Sequence, residues 1–327
     1  MSSSSMMKRG AMAGISQKHY SSNTNNIRSI SLPTRSHPST ARIEEELNKL
    51  KSWEPSSSSS KVVETICCGL HDLKELYKCV VEDLLNLPLT QQALSQHHNE
   101  KWVDELLDFP LRFLEILGET RDSIMLLKGN VGEVQSALRR RKMVGDFGIE
   151  NHLNSYWTLR RNMRKECTKS LLLLKHYVDH HSFGSYSPPL DLNQHLSAVV
   201  RVLRESSLIT SSIFQSLLVF LSSPIFKFKA RKWDFVSRLM KKGVLVCNNI
   251  QQDNVNEIEK VDLALCRMVV DNNNNQSKDF ETQKIIQSAQ REIEALILVI
   301  EGLENGLEGL FKHLINTRVS FLNIISP

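Results

Sequence analysis

From residue 286 to residue 324, apolar side chains recur in alternating steps of three and four. Ile286, Ile293, Ile300, Leu307, Leu314 and Phe321 stand seven apart, and Ala289, Leu296, Leu303, Leu310, Thr317 and Ile324 form a second series offset by three. This spacing keeps one narrow stripe of a helix apolar. At about 1.5 Å per residue the stripe is roughly 57 Å long, and it has to be buried against other helices. Residues 63–87 carry a matching ladder, with Val63, Leu70, Tyr77 and Leu84 in one series and Ile66, Leu73, Val80 and Leu87 in the other. One chain therefore supplies the partners for its own longest stripe. The expectation is that 286–324 forms the central seam of an intramolecular bundle rather than a dimer zipper, in a chain that is a monomer or a homodimer. The excess length at its C-terminal end is left for a partner.

The same periodicity predicts the remaining helices. One spans Thr40 to Trp53 with Ile43, Leu47 and Leu50 on a single face, and Pro55 with Ser56–Ser60 makes a linker after it. The second ladder helix runs from about Lys61 to Leu87 and is stopped by Pro88. After a short piece around Gln91–His98, apolar residues resume at Trp102, Leu106 and Phe109, where Pro110 is expected to break or kink the helix. It then continues to about Lys142. Further helices are predicted over roughly 149–180, 192–221 and 232–270, the last interrupted near Gly243, before the terminal ladder helix begins near Lys278. No alternating strand pattern occurs, and eight or so helices joined by short connections imply an all-α bundle of long helices with heptad-patterned seams.

Composition adjusts this picture in one place. The chain carries a formal charge of +5, but Lys8, Arg9, Lys18, Arg28, Arg35 and Arg42 lie in a segment, 1–43, that has no Asp or Glu. That segment is +6, which leaves the remainder at −1. A nearly neutral helical body argues against a nucleic-acid groove. Residues 1–40 are rich in Ser, Asn, Thr and Arg and lack apolar periodicity, so they are expected to be a disordered basic tail, with 41–327 as a single helical-bundle domain. The tail composition also suits an organelle transit peptide. Cytoplasmic placement is the expectation, with the chloroplast or the membrane periphery as alternatives.

Candidate chemistry is sparse. Six cysteines are scattered without secretory signal or zinc-ligand spacing and read as reduced and mostly buried; the vicinal Cys67–Cys68 pair has S-acylation near a membrane as its sharper reading. His176 and His180 are four apart on a helix, but no Glu follows His176, and helix-end histidines are the simpler reading. There is no phosphate loop and no G-x-S-x-G elbow. Nothing supports a catalytic, cofactor or metal site. Leu208 to Leu221, the longest apolar run, is too short and too rich in Ser to span a bilayer and reads as a core helix. Arg160, Arg161, Arg164 and Lys165 read as a solvated basic face.

Two segments have sharper readings. Phe226-Lys227-Phe228-Lys229-Ala230-Arg231-Lys232-Trp233 interleaves aromatics with cations and could rest on an anionic membrane surface, rings in the interface and cations at headgroups; the plainer reading is a connection between helices with its aromatics packed inward. In the tail, Arg28-Ser29-Ile30-Ser31-Leu32-Pro33 has the form R-S-x-S-x-P. With Ser31 phosphorylated it resembles a docking site for 14-3-3 proteins: the phosphate meets an Arg cluster on the partner, and Pro33 turns the chain out of the groove.

Several motifs carry a family resemblance. Ile27–Pro38 with Glu44–Trp53, then Leu87-Pro88-Leu89-Thr90-Gln91-Gln92-Ala93-Leu94, Lys101–Asp108 and Gln135–Arg141, are similar to the plant-specific Bypass-type family, also called domain of unknown function 241. The likeness is specific over 27–142; from about Gly148 onward only the helical pattern and spacing resemble it. The resemblance implies an all-helical protein with no catalytic residues to carry over, associated with root and shoot development. It also requires that any cleavable transit peptide lie upstream of Ile27. Together these readings point to a non-enzymatic regulatory or scaffold protein acting through helix surfaces. A peripheral membrane adaptor and an enzyme of unrecognised type stand as alternatives.

Overall fold

A computed structural model describes residues 38–54, 59–144, 149–182, 194–225, 255–273 and 279–326. Among them are eight α-helices and no strand: α1 (Pro38–Lys51), α2 (Ser59–Cys79), α3 (Pro88–Gln96), α4 (Lys101–Val144), α5 (Ile149–Ser182), α6 (Gln194–Leu221), α7 (Glu257–Asn273) and α8 (Asp279–Ile325). A π-helical segment, Val80–Leu85, continues α2. The all-α expectation holds.

The axis of the bundle is α8. Its 47 residues rise through about 70 Å and pack chiefly on α2, α4 and α7, with α3 and the π segment at one end. Of the twelve ladder positions only Ile324 keeps partial exposure; Ile293, Leu296, Leu307, Leu310 and Leu314 are completely buried. The ladder is thus covered by the chain's own helices. Outside this seam α5 packs on α4 and α6, and α6 also meets α2. The Ser-rich α6 is deeply buried because its hydroxyls are satisfied locally: Ser206 Oγ donates to Val202 O at 2.7 Å and Thr210 Oγ1 to Ser206 O at 2.6 Å. Tyr77 on α2 shares a hydrogen bond of 3.0 Å with that Thr210 hydroxyl.

Two expectations about helix continuity are corrected. Pro110 does not break its helix: α4 runs through it for 44 residues, with Pro110 itself buried. One lost backbone hydrogen bond is outweighed by the apolar faces on both sides, Trp102, Val103, Phe109, Phe113 and Leu117 all being buried. Conversely, the ladder helix predicted to run regularly to Leu87 widens at Val80–Leu85. The wide turn lets Leu84 and Leu85, neighbours in sequence, both be fully buried.

The contact between α2 and α8 depends on glycine. A Cβ at Gly306 would lie 2.9 Å from Leu70 Cβ and 3.1 Å from its Cδ1, while at Gly118, Gly129 and Gly132 of α4 nothing lies within 4 Å. Alanine raises helix propensity by about 0.8–1 kcal/mol at any of them, but at Gly306 two helix backbones must separate, at about 1–3 kcal/mol. Gly129→Ala is therefore expected to raise the urea midpoint and Gly306→Ala to lower it. Equal shifts of the same sign would show that the two helices are not in close contact.

The N-terminal helix is held by charge as well as by Ile43, Leu47 and Leu50. Arg201 of α6 pairs with Glu44 and, at 3.0 Å, with Glu205, which also takes Lys51 at 2.9 Å. Past α1, Trp53 Nε1 donates to Thr65 O at 3.0 Å and fills the space a Cβ at Gly69 would need.

Candidate functional site

The most concentrated polar chemistry among the described residues is buried where α5, α6 and α7 meet. Tyr156 and Arg160, one turn apart on α5, face Asp262 of α7. Arg160 and Asp262 are both completely inaccessible. Arg160 Nη2 lies 3.1 Å from Asp262 Oδ2 and its Nε 3.3 Å from Oδ1, while the Tyr156 hydroxyl donates to Oδ1 at 2.7 Å. The expectation of a solvated Arg160 is thus corrected; Arg161, Arg164 and Lys165 do face solvent. The guanidinium also closes α6. A helix leaves its last four carbonyls without backbone partners. Leu218 O takes Ser222 N–H at 2.9 Å, Val219 O the Ser222 hydroxyl at 3.2 Å and Phe220 O the Ser223 N–H at 3.4 Å. Leu221 O takes Arg160 Nη1 at 3.3 Å. A cation there also suits the negative end of the helix dipole.

The partner helix is fixed just as locally. Asn256 Oδ1 accepts from Glu259 N–H at 2.9 Å, and Glu259 Oε2 accepts from Asn256 N–H at 3.0 Å, a reciprocal capping box that starts α7 and brings Asp262 to Arg160. Burial pushes the Asp262 carboxyl above the usual carboxylate range, against the pull of Arg160 and the Tyr156 hydroxyl. Burial also raises Tyr156, helped by the nearby Asp262 charge. The thiols nearby, Cys167 and Cys266, are each pushed up to about 12 by burial, so they are protonated at neutral pH and are poor nucleophiles. This constellation joins helices; its buried carboxylate is tied to an arginine.

A cleft of about 240 Å³ lies between α4 and α5, floored by Phe109, Phe113, Ile116, Leu174 and Tyr177. Its mouth carries Arg112, Glu115, Glu119 and Lys169. Ser170 Oγ donates to Glu119 at 3.3 Å, and Lys169 stands 3.9 Å from the same carboxylate. Opposite charges and the exposed His176 are interspersed around it and none is deeply buried, so the cleft offers apolar area under a solvated polar rim. No group of three or more His, Cys, Asp or Glu among the described residues can hold a metal, and none of the described helices is long and apolar enough to cross a membrane.

The outer face of α8 near its C-terminal end is apolar. Ile315, Val319 and Leu322, at i, i+4 and i+7, are 38, 48 and 39% exposed, opposite the buried Leu314, Thr317 and Phe321. Periodicity pointed to the end of this helix without resolving a second stripe, because one ladder dominated the pattern.

His195 was not singled out in the sequence. Its Nε2 lies 2.9 Å from the Thr90 hydroxyl, joining the first turns of α6 and α3. Burial holds the imidazole below its ordinary value of 6.5. The unfolded chain therefore binds the proton more readily, and stability is lost as pH falls below about 6.5 toward the folded-state value. His313, lowered by burial and by Lys74, acts in the same direction. His195→Gln keeps a hydrogen-bonding group that does not titrate. It should flatten, though not abolish, the decline in melting temperature between about pH 6.5 and 5; an unchanged slope would remove His195 from the account.

The sequence candidates Arg28, Ser29, Ser31 and Pro33 lie outside the described residues, as do Phe226, Lys227, Phe228, Lys229, Arg231, Lys232 and Trp233.

A long central helix covered by α2, α3, α4 and α7, with an ion pair sealed inside and an apolar stripe outside, defines an all-α bundle of the kind that presents helix surfaces. A family model described as Protein BPS1 matches residues 69–324, from within α2 to the last turns of α8. The chain belongs to this family, the plant Bypass-type family that its motifs resemble. No curated protein and no solved structure matches the chain. The matched residues extend the resemblance through the C-terminal helices, and the tail motif at Arg28–Pro33 precedes them.

Proposed function

We propose that this protein is a non-enzymatic plant regulatory or scaffold protein, linked through its family to root and shoot development, that binds an amphipathic helix of another protein along the outer face of α8. The observation that carries this reading is the exposed Ile315–Val319–Leu322 stripe. Three large apolar side chains on one face of a well-packed helix form a ready surface for helix-in-groove or helix-on-helix recognition. The absence of convergent catalytic groups among the described residues leaves an enzyme reading without a site. Phosphorylated Ser31, followed by Pro33 and preceded by Arg28, is a second contact, for 14-3-3 proteins in the cytoplasm.

Affinity purification from plant tissue, comparing the wild type with Ile315→Ser/Val319→Ser/Leu322→Ser, tests the stripe. The triple variant should keep its helicity, since surface changes away from special features usually cost little, and should lose a defined set of partners. An identical partner set would end this reading. For the tail, Ser31-phosphorylated protein should retain 14-3-3 proteins and Ser31→Ala should not; equal recovery would exclude that contact.

A further inference from the structure

A second cleft, of about 370 Å³, opens between α3 and the last turns of α8. One wall carries Asn86, Gln91, Gln92 and Ser95, the other Ser320 and Asn323, and the aliphatic side chains of Leu85 and Ile324 complete the lining. Among the described residues, the four carboxamides and two hydroxyls make no side-chain hydrogen bond. No charged group and no aromatic ring lines the cleft. The wall also begins where the π segment ends: Leu85 is its last residue and Asn86 caps it. Val80–Leu85 contains neither Gly nor Pro, so packing rather than local sequence imposes the wide turn. Single π turns concentrate at functional sites.

We infer that this cleft binds an extended, uncharged peptide segment of a partner protein through the peptide backbone. A carboxamide offers a donor and an acceptor in one plane and can pair with a peptide group, which presents one of each. Carboxamides and hydroxyls on two facing walls suit a chain whose N–H and C=O groups point alternately to either side. A charged ligand finds no counter-charge here, and a sugar finds no aromatic ring on which to stack. The partly exposed Ile324 takes a small apolar side chain between the polar contacts. Gln91 and Gln92 come from the Leu87–Leu94 motif, whose Thr90, Ala93 and Leu94 are buried; these two residues are exposed, beside the exposed Pro88 and Leu89. The cleft occupies a different flank of α8 from the apolar stripe, so the two sites are separable.

The probe is a library of randomised ten-residue peptides without Lys, Arg, Asp or Glu, displayed and selected on the full chain. Selected peptides should bind Gln92→Leu/Asn323→Leu about tenfold or more weakly, the loss expected from one or two hydrogen bonds. Methylating alternate backbone nitrogens of a selected peptide should abolish its binding. The Ile315→Ser/Val319→Ser/Leu322→Ser variant should bind the same peptides undiminished. Both variants must melt like the wild type, which their exposed positions favour. The inference is overturned if no peptide is enriched, if the cleft variant binds as well as the wild type, or if backbone methylation is tolerated. Loss of peptide binding in the stripe variant alone would overturn it too, while leaving the stripe reading in place.

Discussion

Replacing Arg160 by methionine should lower stability by about 3–5 kcal/mol, the cost of leaving one member of a buried ion pair without its partner. Asp262 would lose both guanidinium contacts, at 3.1 and 3.3 Å, and Leu221 O would lose the donor that closes α6. The double variant Arg160→Met/Asp262→Leu should be more stable than the single one, although it removes more polar contacts, because no uncompensated charge stays buried. It should not regain wild-type stability, since the Tyr156 hydroxyl and Leu221 O are then orphaned, at about 1–3 kcal/mol each. Urea unfolding followed by circular dichroism decides this. A double variant no better than the single would show that geometry, not charge, dominates the junction. The pH dependence gives a second reading. Without Arg160, only the Tyr156 hydroxyl still opposes burial at Asp262, and its folded-state value rises further above the ordinary 3.8. A raised carboxyl contributes stability that is complete below its unfolded value and lost as pH rises through its folded value. The deficit of Arg160→Met should therefore grow as pH rises from the wild-type folded-state value of Asp262 toward the variant's higher one.

Leu307→Ala should cost about 2–5 kcal/mol, the range for emptying a buried leucine site, whereas Leu298→Ala on the same helix should stay within about 0.5 kcal/mol. The chemistry and the helix-propensity change are the same; the exposures, 0% and 70%, are not. The pair also separates two readings of the α8 ladder. If α2, α4 and α7 cover it, the melting temperature of Leu307→Ala falls by the same amount at every protein concentration. A ladder buried between two chains would instead make the loss concentration-dependent and change the oligomeric state. Such dependence would sink the intramolecular seam.

The helical class, the limits of most helices and the buried face of α8 were determined by sequence alone. The reason is local: a helix repeats every 3.6 residues, so its burial pattern is written in consecutive positions. Eleven of the twelve ladder residues are buried because nothing but their spacing was needed to place them on one face. Arg160 shows where that logic stops. Its partner is 102 residues away, and its neighbours Arg161, Arg164 and Lys165 are solvated, so in sequence it is one cation of a basic run. Only the packing of α5 on α6 and α7 puts it in the interior, where charge must be paired. Pro110 and the π turn at Val80–Leu85 are alike in this. Propensity predicted a break or kink at Pro110 and regularity in the other helix; contacts made by distant residues carry the first helix through the proline and widen the second. The candidate binding surfaces divide in the same way. Periodicity marked the end of α8 as unpartnered. The stripe of Ile315, Val319 and Leu322 on one flank, and the carboxamides gathered from α3 and α8 on another, exist only once the helices are assembled, because a surface made by two elements has no period in either.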